Sequence, residues 1–265
     1  MHISGSGHIP AGEYSEKISV SGSGKLDGNI RCVALSCSGS VKGTGSVSCS
    51  EDLRVSGSCY IEKGVSANNI SVSGAFKTDE DIRAEKSISI SGAIRCGGAI
   101  KCISLSCSGV VALGKDVEAE EIKLSGQIEC AGLLNAERID ISLEKSCSTS
   151  KVGSLGGSEI RVQSRTKHKI TRLPLLGKLL GASVNSLTVS ELVEGDIVAL
   201  ECVCAPRVVG RVVAIGTGCQ IDLVQYSEEI EIHPDAQVKK YEKISKRRTF
   251  PVLLIISFIF LQNAA

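Results

Sequence analysis

Apolar side chains recur along residues 18–143 in pairs separated by a single polar residue, and a new pair starts every six residues. The run from Ile88 shows the rule: Ile88, Ile90, Ile94, Cys96, Ile100 and Cys102 are apolar or small, with Ser89, Arg95 and Lys101 between them. A period of two predicts strands, because successive side chains point to opposite faces. After three such pairs the pattern restarts, at Ile18, Leu35, Leu53, Ile70, Ile88, Leu105, Ile122 and Ile139, in steps of 17 or 18 residues. A period this short is too small for a helical-pair repeat or a propeller blade and predicts one solenoid coil per repeat. The fold expected is therefore all-β, a three-sided parallel β-helix. With coils about 4.8 Å apart, eight or nine coils up to Ser158 would make a rod roughly 40 Å long.

A Ser-Gly pair follows the first strand of each coil. Its glycines are Gly5, Gly22, Gly39, Gly57, Gly74, Gly92, Gly109 and Gly126. They are read as corner turns, where glycine would supply a positive φ without a Cβ clash. Gly-rich turns can also cradle anions, but eight equivalent corners are better explained by architecture. One coil further the pair becomes Ser142-Leu143, so the regular rod is expected to end near there.

The chain holds 12 cysteines. Those between residues 18 and 158 all fall at inward positions, where thiols act as small hydrophobes. At one position Cys32, Cys49, Ala67, Ala84, Cys102, Ala119 and Ala136 alternate as volume filling would require. They are read as reduced core residues in a cytoplasmic protein, not as a metal site. Charge changes the picture little: 30 basic and 29 acidic residues leave a net +1, which argues against a nucleic-acid partner. The start carries no charged-then-apolar leader pattern.

Four regions follow. Residues 1–164 form the repeat β-helix, 165–186 an irregular basic and apolar insert, 187–244 a second, smaller β-helical segment that is either further coils or a small separate lobe, and 245–265 a basic and then apolar tail. In the insert, Leu175, Leu176, Leu179 and Leu180 lie among lysines and arginines. In the tail, Phe250, Leu253, Leu254 and Phe258 follow a basic cluster. Both sets are candidate contacts for the inner membrane surface; packing on the rod is the alternative. The apolar tail is shorter than the ~20 residues needed to span a bilayer. Cys202, Cys204, Cys219 and His233 could be read as zinc ligands, but a lone C-x-C without a second pair points to core filling.

The Ser-Gly repeat together with "VEGDIVALE" (Val193 to Glu201) and "VVAIGTGCQIDLVQY" (Val212 to Tyr226) resembles the bactofilins, in particular the bactofilin-like polymer-forming cytoskeletal proteins of Gram-positive bacteria. The resemblance covers roughly residues 1 to 244. It implies a right-handed β-helix, polymerisation through coil ends without nucleotide or other cofactor, and attachment to the inner membrane face. The tail after Phe250 departs from that pattern.

A β-helix leaves unpaired backbone groups on its end coils, and such edges recruit further strands unless capped. The frame runs back to Met1, so Met1, Ile3 and Ile9 are the expected polymerisation interface, with the chain itself as partner. Glu13 and Ser15 fall in inward slots, so a partial cap formed by that loop stays open. A scaffold binding a cell-envelope or morphogenesis protein is the alternative. An acyltransferase or carbohydrate-active enzyme on a β-solenoid is less favoured: none of His2, His8, His168 and His233 lies in a coil of the regular rod.

Overall fold

The computed structural model describes residues 1–143, 150–164 and 186–245. Among these the chain is all-β, without a helix. Its 24 parallel strands, numbered along the chain from β1 (His2–Ile3) to β24 (Gln237–Lys243), wind into a solenoid of about 13 turns. At ~4.8 Å per coil the rod is roughly 60 Å long.

Neighbouring coils pair in register. His2 lies beside Ser19, Ser19 beside Ser36, and Ile70 beside Ile88, which lies beside Leu105. The alternation seen in the sequence becomes the core: Ile18, Leu35, Leu53, Ile88, Leu105, Ile122 and Ile139 are at most 1% exposed. Among the described residues, two buried polar side chains interrupt this column. Thr78 Oγ1 donates to the Lys63 carbonyl at 2.6 Å, and Ser150 Oγ accepts the Ile128 N–H at 3.2 Å. Both polar groups are satisfied, as burial requires.

Two expectations about the coils change. The rod does not end at Ser142-Leu143. Strand β19 (Gln127–Leu143) pairs with β20 (Ser150–Ser164), with Ser142 beside Gln163 and Leu143 beside Ser164. Strand β21 (Leu187–Leu200) then stacks directly on β20, and β22 (Val203–Ile215) and β23 (Gln220–Ile232) continue the same rod. Of the two readings of 187–244, further coils is the one the structure has: the segment is the upper part of one column. Extra residues between paired strands leave the lateral hydrogen bonding intact, so a break in the sequence period is not a break in the stack.

Glu13, expected to face inward, faces outward. A register shift between Pro10 and Gly12 in β2 (Ser6–Tyr14) moves the following residues by one. Glu13 then stacks beside Arg31 and pairs with it at 2.9 Å, while half-buried Tyr14 stacks beside Cys32. The shift puts the charge in water, where its solvation costs nothing.

Candidate functional site

The lower tip of the rod is held in a closed coil. The Met1 ammonium donates to the Lys17 carbonyl at 2.8 Å and pairs with Glu16 at 2.8 Å, tying the start of the first coil to its end. Tyr14 Oη donates to the Pro10 carbonyl at 2.7 Å. Of the three residues expected at this interface, Met1 is 43% exposed, Ile3 is half-buried, and Ile9 is wholly buried, so it supports the tip from inside.

The backbone of the tip is a template. The N–H groups of Ser19, Ser21 and Ser23 donate downward to the carbonyls of Met1, Ile3 and Gly5 at 2.8–2.9 Å. His2 and Ser6 hold the same places one coil lower. Among the described residues no strand pairs with the lower edge of β1 or β2. In a parallel ladder every coil offers such a row to the next.

The eight Ser-Gly glycines do sit at corners, in bends between strands. The reason expected for them does not hold. None has a positive φ; the left-handed conformation occurs instead at Gly28, Gly218 and, without a glycine, at Cys202 (φ 55°). What the corners require is close approach. A Cβ on Gly22 would run into the Gly5 carbonyl oxygen, one on Gly39 into that of Gly22, and so on up to Gly126 against Gly109. Each corner rests its backbone on the carbonyl below, where no side chain fits. Gly5 differs: a Cβ there would meet no heavy atom within 4 Å.

None of the described cysteines forms a disulfide, and all but half-buried Cys204 are buried. Cys32 and Cys49 stack in register with their sulfurs 3.6 Å apart. The hydrogen bond to Cys32, and then burial, push the Cys49 thiol up. Burial pushes Cys102 up to about 12, and Cys96, Cys107 and Cys219 up to about 11. The groups considered for zinc are not brought together: Cys202 and Cys219 are in the core, whereas His233 is exposed and its Nδ1 accepts the Asp235 N–H at 3.1 Å. Cys147 and His168, and the candidate membrane contacts Leu175, Leu176, Leu179, Leu180, Phe250, Leu253, Leu254 and Phe258, lie outside the described residues.

The outward acids serve the corners. Glu80 accepts the Gly64 N–H at 3.2 Å and Asp81 the Ala99 N–H at 2.9 Å, each across one coil. Glu118 pairs with Lys101 at 3.0 Å and Glu121 with Lys123 at 2.8 Å.

Sequence reasoning missed one outward feature. His8, Lys25, Lys42, Tyr60, Lys77 and Arg95 stack in register on one face of six successive coils. Their spacing of 17, 17, 18, 17 and 18 residues follows the core period, so reading the outward positions with the same frame would have found them.

Comparison with known proteins gives partial matches. The chain is similar to "Uncharacterized protein YhbE" of Bacillus subtilis (strain 168), 33% identical over 114 residues, which is 43% of this chain and 44% of that protein. It is also similar to "Uncharacterized protein YhbF" of the same organism, 34% identical over 113 residues, 43% of this chain and 42% of that protein. The match thus spans under half the length of these curated relatives. No family model matches the chain. No solved structure matches it.

Proposed function

We propose that this chain is a bactofilin-like structural protein whose rods join end to end, the lower tip of one receiving a coil of a second copy. The observation that carries the reading is the unpaired lower edge of the first coil, with Gly5 opening onto empty space. Seven corner glycines are explained by the coil beneath them; the eighth has the same form with no described coil beneath. A coil docked there in the rod's own direction would extend the parallel ladder that holds the rod together, and the ties on Met1 and Tyr14 mean little ordering entropy remains to be lost. Assembly of this kind needs no nucleotide.

The test is electron microscopy and sedimentation velocity of the full chain beside Gly5→Trp. Wild type should form species that lengthen with concentration, while Gly5→Trp stays monomeric with an unchanged melting temperature. Wild type that stays monomeric across salt and concentration would overturn the proposal.

A further inference from the structure

Cys32 and Cys49 stand apart from the other thiols of the core. Cys96, Cys130 and Cys219 each donate to a backbone carbonyl, of Glu80, Lys115 and Leu200, at 3.1–3.3 Å. Cys32 and Cys49 instead face each other across one coil step, in register, with 3.6 Å between their sulfurs. Packing does not call for two thiols in a row there, since the next two coils fill the same slot with Ala67 and Ala84. The pair also lies nearer to solvent: each is 6% exposed, against 1% for Cys96 and Cys219. Cys102 occupies the same slot higher up and is 8% exposed, but alanines, Ala84 and Ala119, hold the slot on either side of it.

A disulfide needs Cα atoms about 4.4–6.8 Å apart and sulfurs about 2.05 Å apart. Parallel coils spaced by about 4.8 Å meet the first condition, and rotation of the two side chains toward each other meets the second. The Cβ atoms of in-register residues stay near that same spacing, beyond the ~3.5–4.5 Å of an unstrained bridge. A bond closed under such strain is readily reduced. The geometry thus fits a link that forms and reopens, not a permanent staple. In the reduced pair, the hydrogen bond from Cys49 holds the Cys32 thiol below its ordinary range, which makes Cys32 the nucleophile.

We infer that Cys32 and Cys49 form a reversible dithiol–disulfide site, oxidised by a peroxide, that ties the second coil of the rod to the third. The path to the sulfurs is narrow, which selects a small oxidant such as hydrogen peroxide. The Cys32 thiolate attacks one peroxide oxygen, the O–O bond breaks, and the departing hydroxide takes up the proton that Cys32 released and leaves as water. The Cys49 sulfur then attacks the sulfenic sulfur of Cys32, the S–O bond breaks, and the Cys49 proton leaves with the hydroxyl as a second water. Two thiols and one peroxide give one disulfide and two waters. The link closes a loop from residue 32 to residue 49 and removes chain freedom from the opened state. An oxidised rod therefore resists opening from its lower tip. Nothing in this depends on rods joining end to end.

The experiment exposes the reduced, folded full chain to graded hydrogen peroxide, alkylates the remaining thiols in denaturant, and maps the peptides by mass spectrometry. A peptide pair joined through Cys32 and Cys49, lighter by two hydrogens, should appear at least tenfold faster than any change at Cys96, Cys102 or Cys219, and dithiothreitol should reverse it. Cys49→Ala should stop the reaction at a Cys32 sulfenic acid that dimedone traps, whereas Cys102→Ala should leave the link unchanged. Hydrogen exchange of the oxidised wild type should slow at least threefold in residues 18–52 and stay unchanged above residue 187. Oxidation of all thiols at one rate overturns the site, as does a link that forms only in denaturant, pairs other cysteines or joins two chains. Equal exchange of the lower coils in the oxidised and reduced protein overturns the role given to the link. The wild-type map decides the matter even where a variant fails to fold.

Discussion

The lower and upper parts of the rod turn the same corners by different means. Up to Gly126 the strands on either side of the Ser-Gly bends are mostly short, three or four residues such as Leu35–Cys37 before a bend and Ser40–Gly43 after it, and each bend from Gly22 on sets a glycine on the carbonyl of the coil beneath. Above it the strands from β19 to β23 run 13–17 residues and carry the chain through the bend. The residue stacked where the lower rod has glycine is now Leu143, buried in the core. The volume moves in the opposite sense at another column, where Cys32, Cys49 and Ala136 below give way to Gly157, Gly195 and Gly210 above. A narrow interior has a fixed cross-section, and close packing makes a side chain added at one corner force a small residue elsewhere. The lower rod spends its glycine at the Ser-Gly corner and the upper rod at another, which is why the two look unlike in sequence and stack as one column.

The largest effect that would break this comparison is at an internal corner. Gly39→Val and Gly74→Val must push apart two backbones and should each cost ~3 kcal/mol or more, read as loss of cooperative thermal unfolding or a steep fall in denaturation midpoint. Gly5→Val, with open space at its Cβ, should change stability by less than about 0.5 kcal/mol while blocking assembly. If the three variants melt alike, the carbonyl contact is not what the corners require.

Leu143→Ala tests the upper solution. It empties a filled site without relieving any backbone contact and should cost about 2–4 kcal/mol, measured by urea denaturation. Ile88→Ala in the lower core should fall in the same range, since the two parts differ at corners and not in how their interiors are filled.

The thiols give a smaller effect shared by both parts. Folding raises Cys96, Cys107 and Cys219 to about 11 and Cys102 to about 12 from an ordinary 9. In that window the unfolded chain has released protons that the folded chain still holds, so stability is intact below pH ~9 and falls as pH rises toward 11–12. Native protein at pH 8 should alkylate slowly at these positions and fully after denaturation. Rapid native alkylation of Cys102 and Cys219 alike would mean the column is open in both halves.

The smallest effect is at surface ion pairs. Arg31→Ala below, which loses Glu13, and Arg211→Ala above, which loses Glu228 at 2.7 Å, should each shift stability by at most about 0.5 kcal/mol. A larger loss at Arg31 alone would show that the first coil is pinned by that pair.

Much of the rod was legible because its determinants are local. The inward alternation from Ile18 to Ile141 needs only the pleat of a strand and a fixed coil length. Legibility failed wherever coil length changed. The single-residue shift at Ala11 reversed the expected orientation of Glu13. In the upper rod Val198, Val213 and Ile230 stack at steps of 15 and 17, and Ser150 pairs with Leu187 across 37 residues. No single frame covers these steps, so the pattern left open whether the segment continues the rod. At the candidate site, Met1, Ile3 and the glycine positions were readable, but the openness of Gly5 and the depth of Ile9 were not.

The sequence by itself determined that the chain is all-β, coiled at 17 or 18 residues from Ile18 to Ile139, with its aliphatic and thiol side chains inside. Those properties follow from side-chain direction along one strand. Only the tertiary structure decided why the corners are glycine, how many coils share one column, and which charges stand in line. Each of these depends on atoms that meet across a coil, some 15 to 37 residues apart along the chain, and such meetings are set by lateral hydrogen-bond register, which local pattern does not encode.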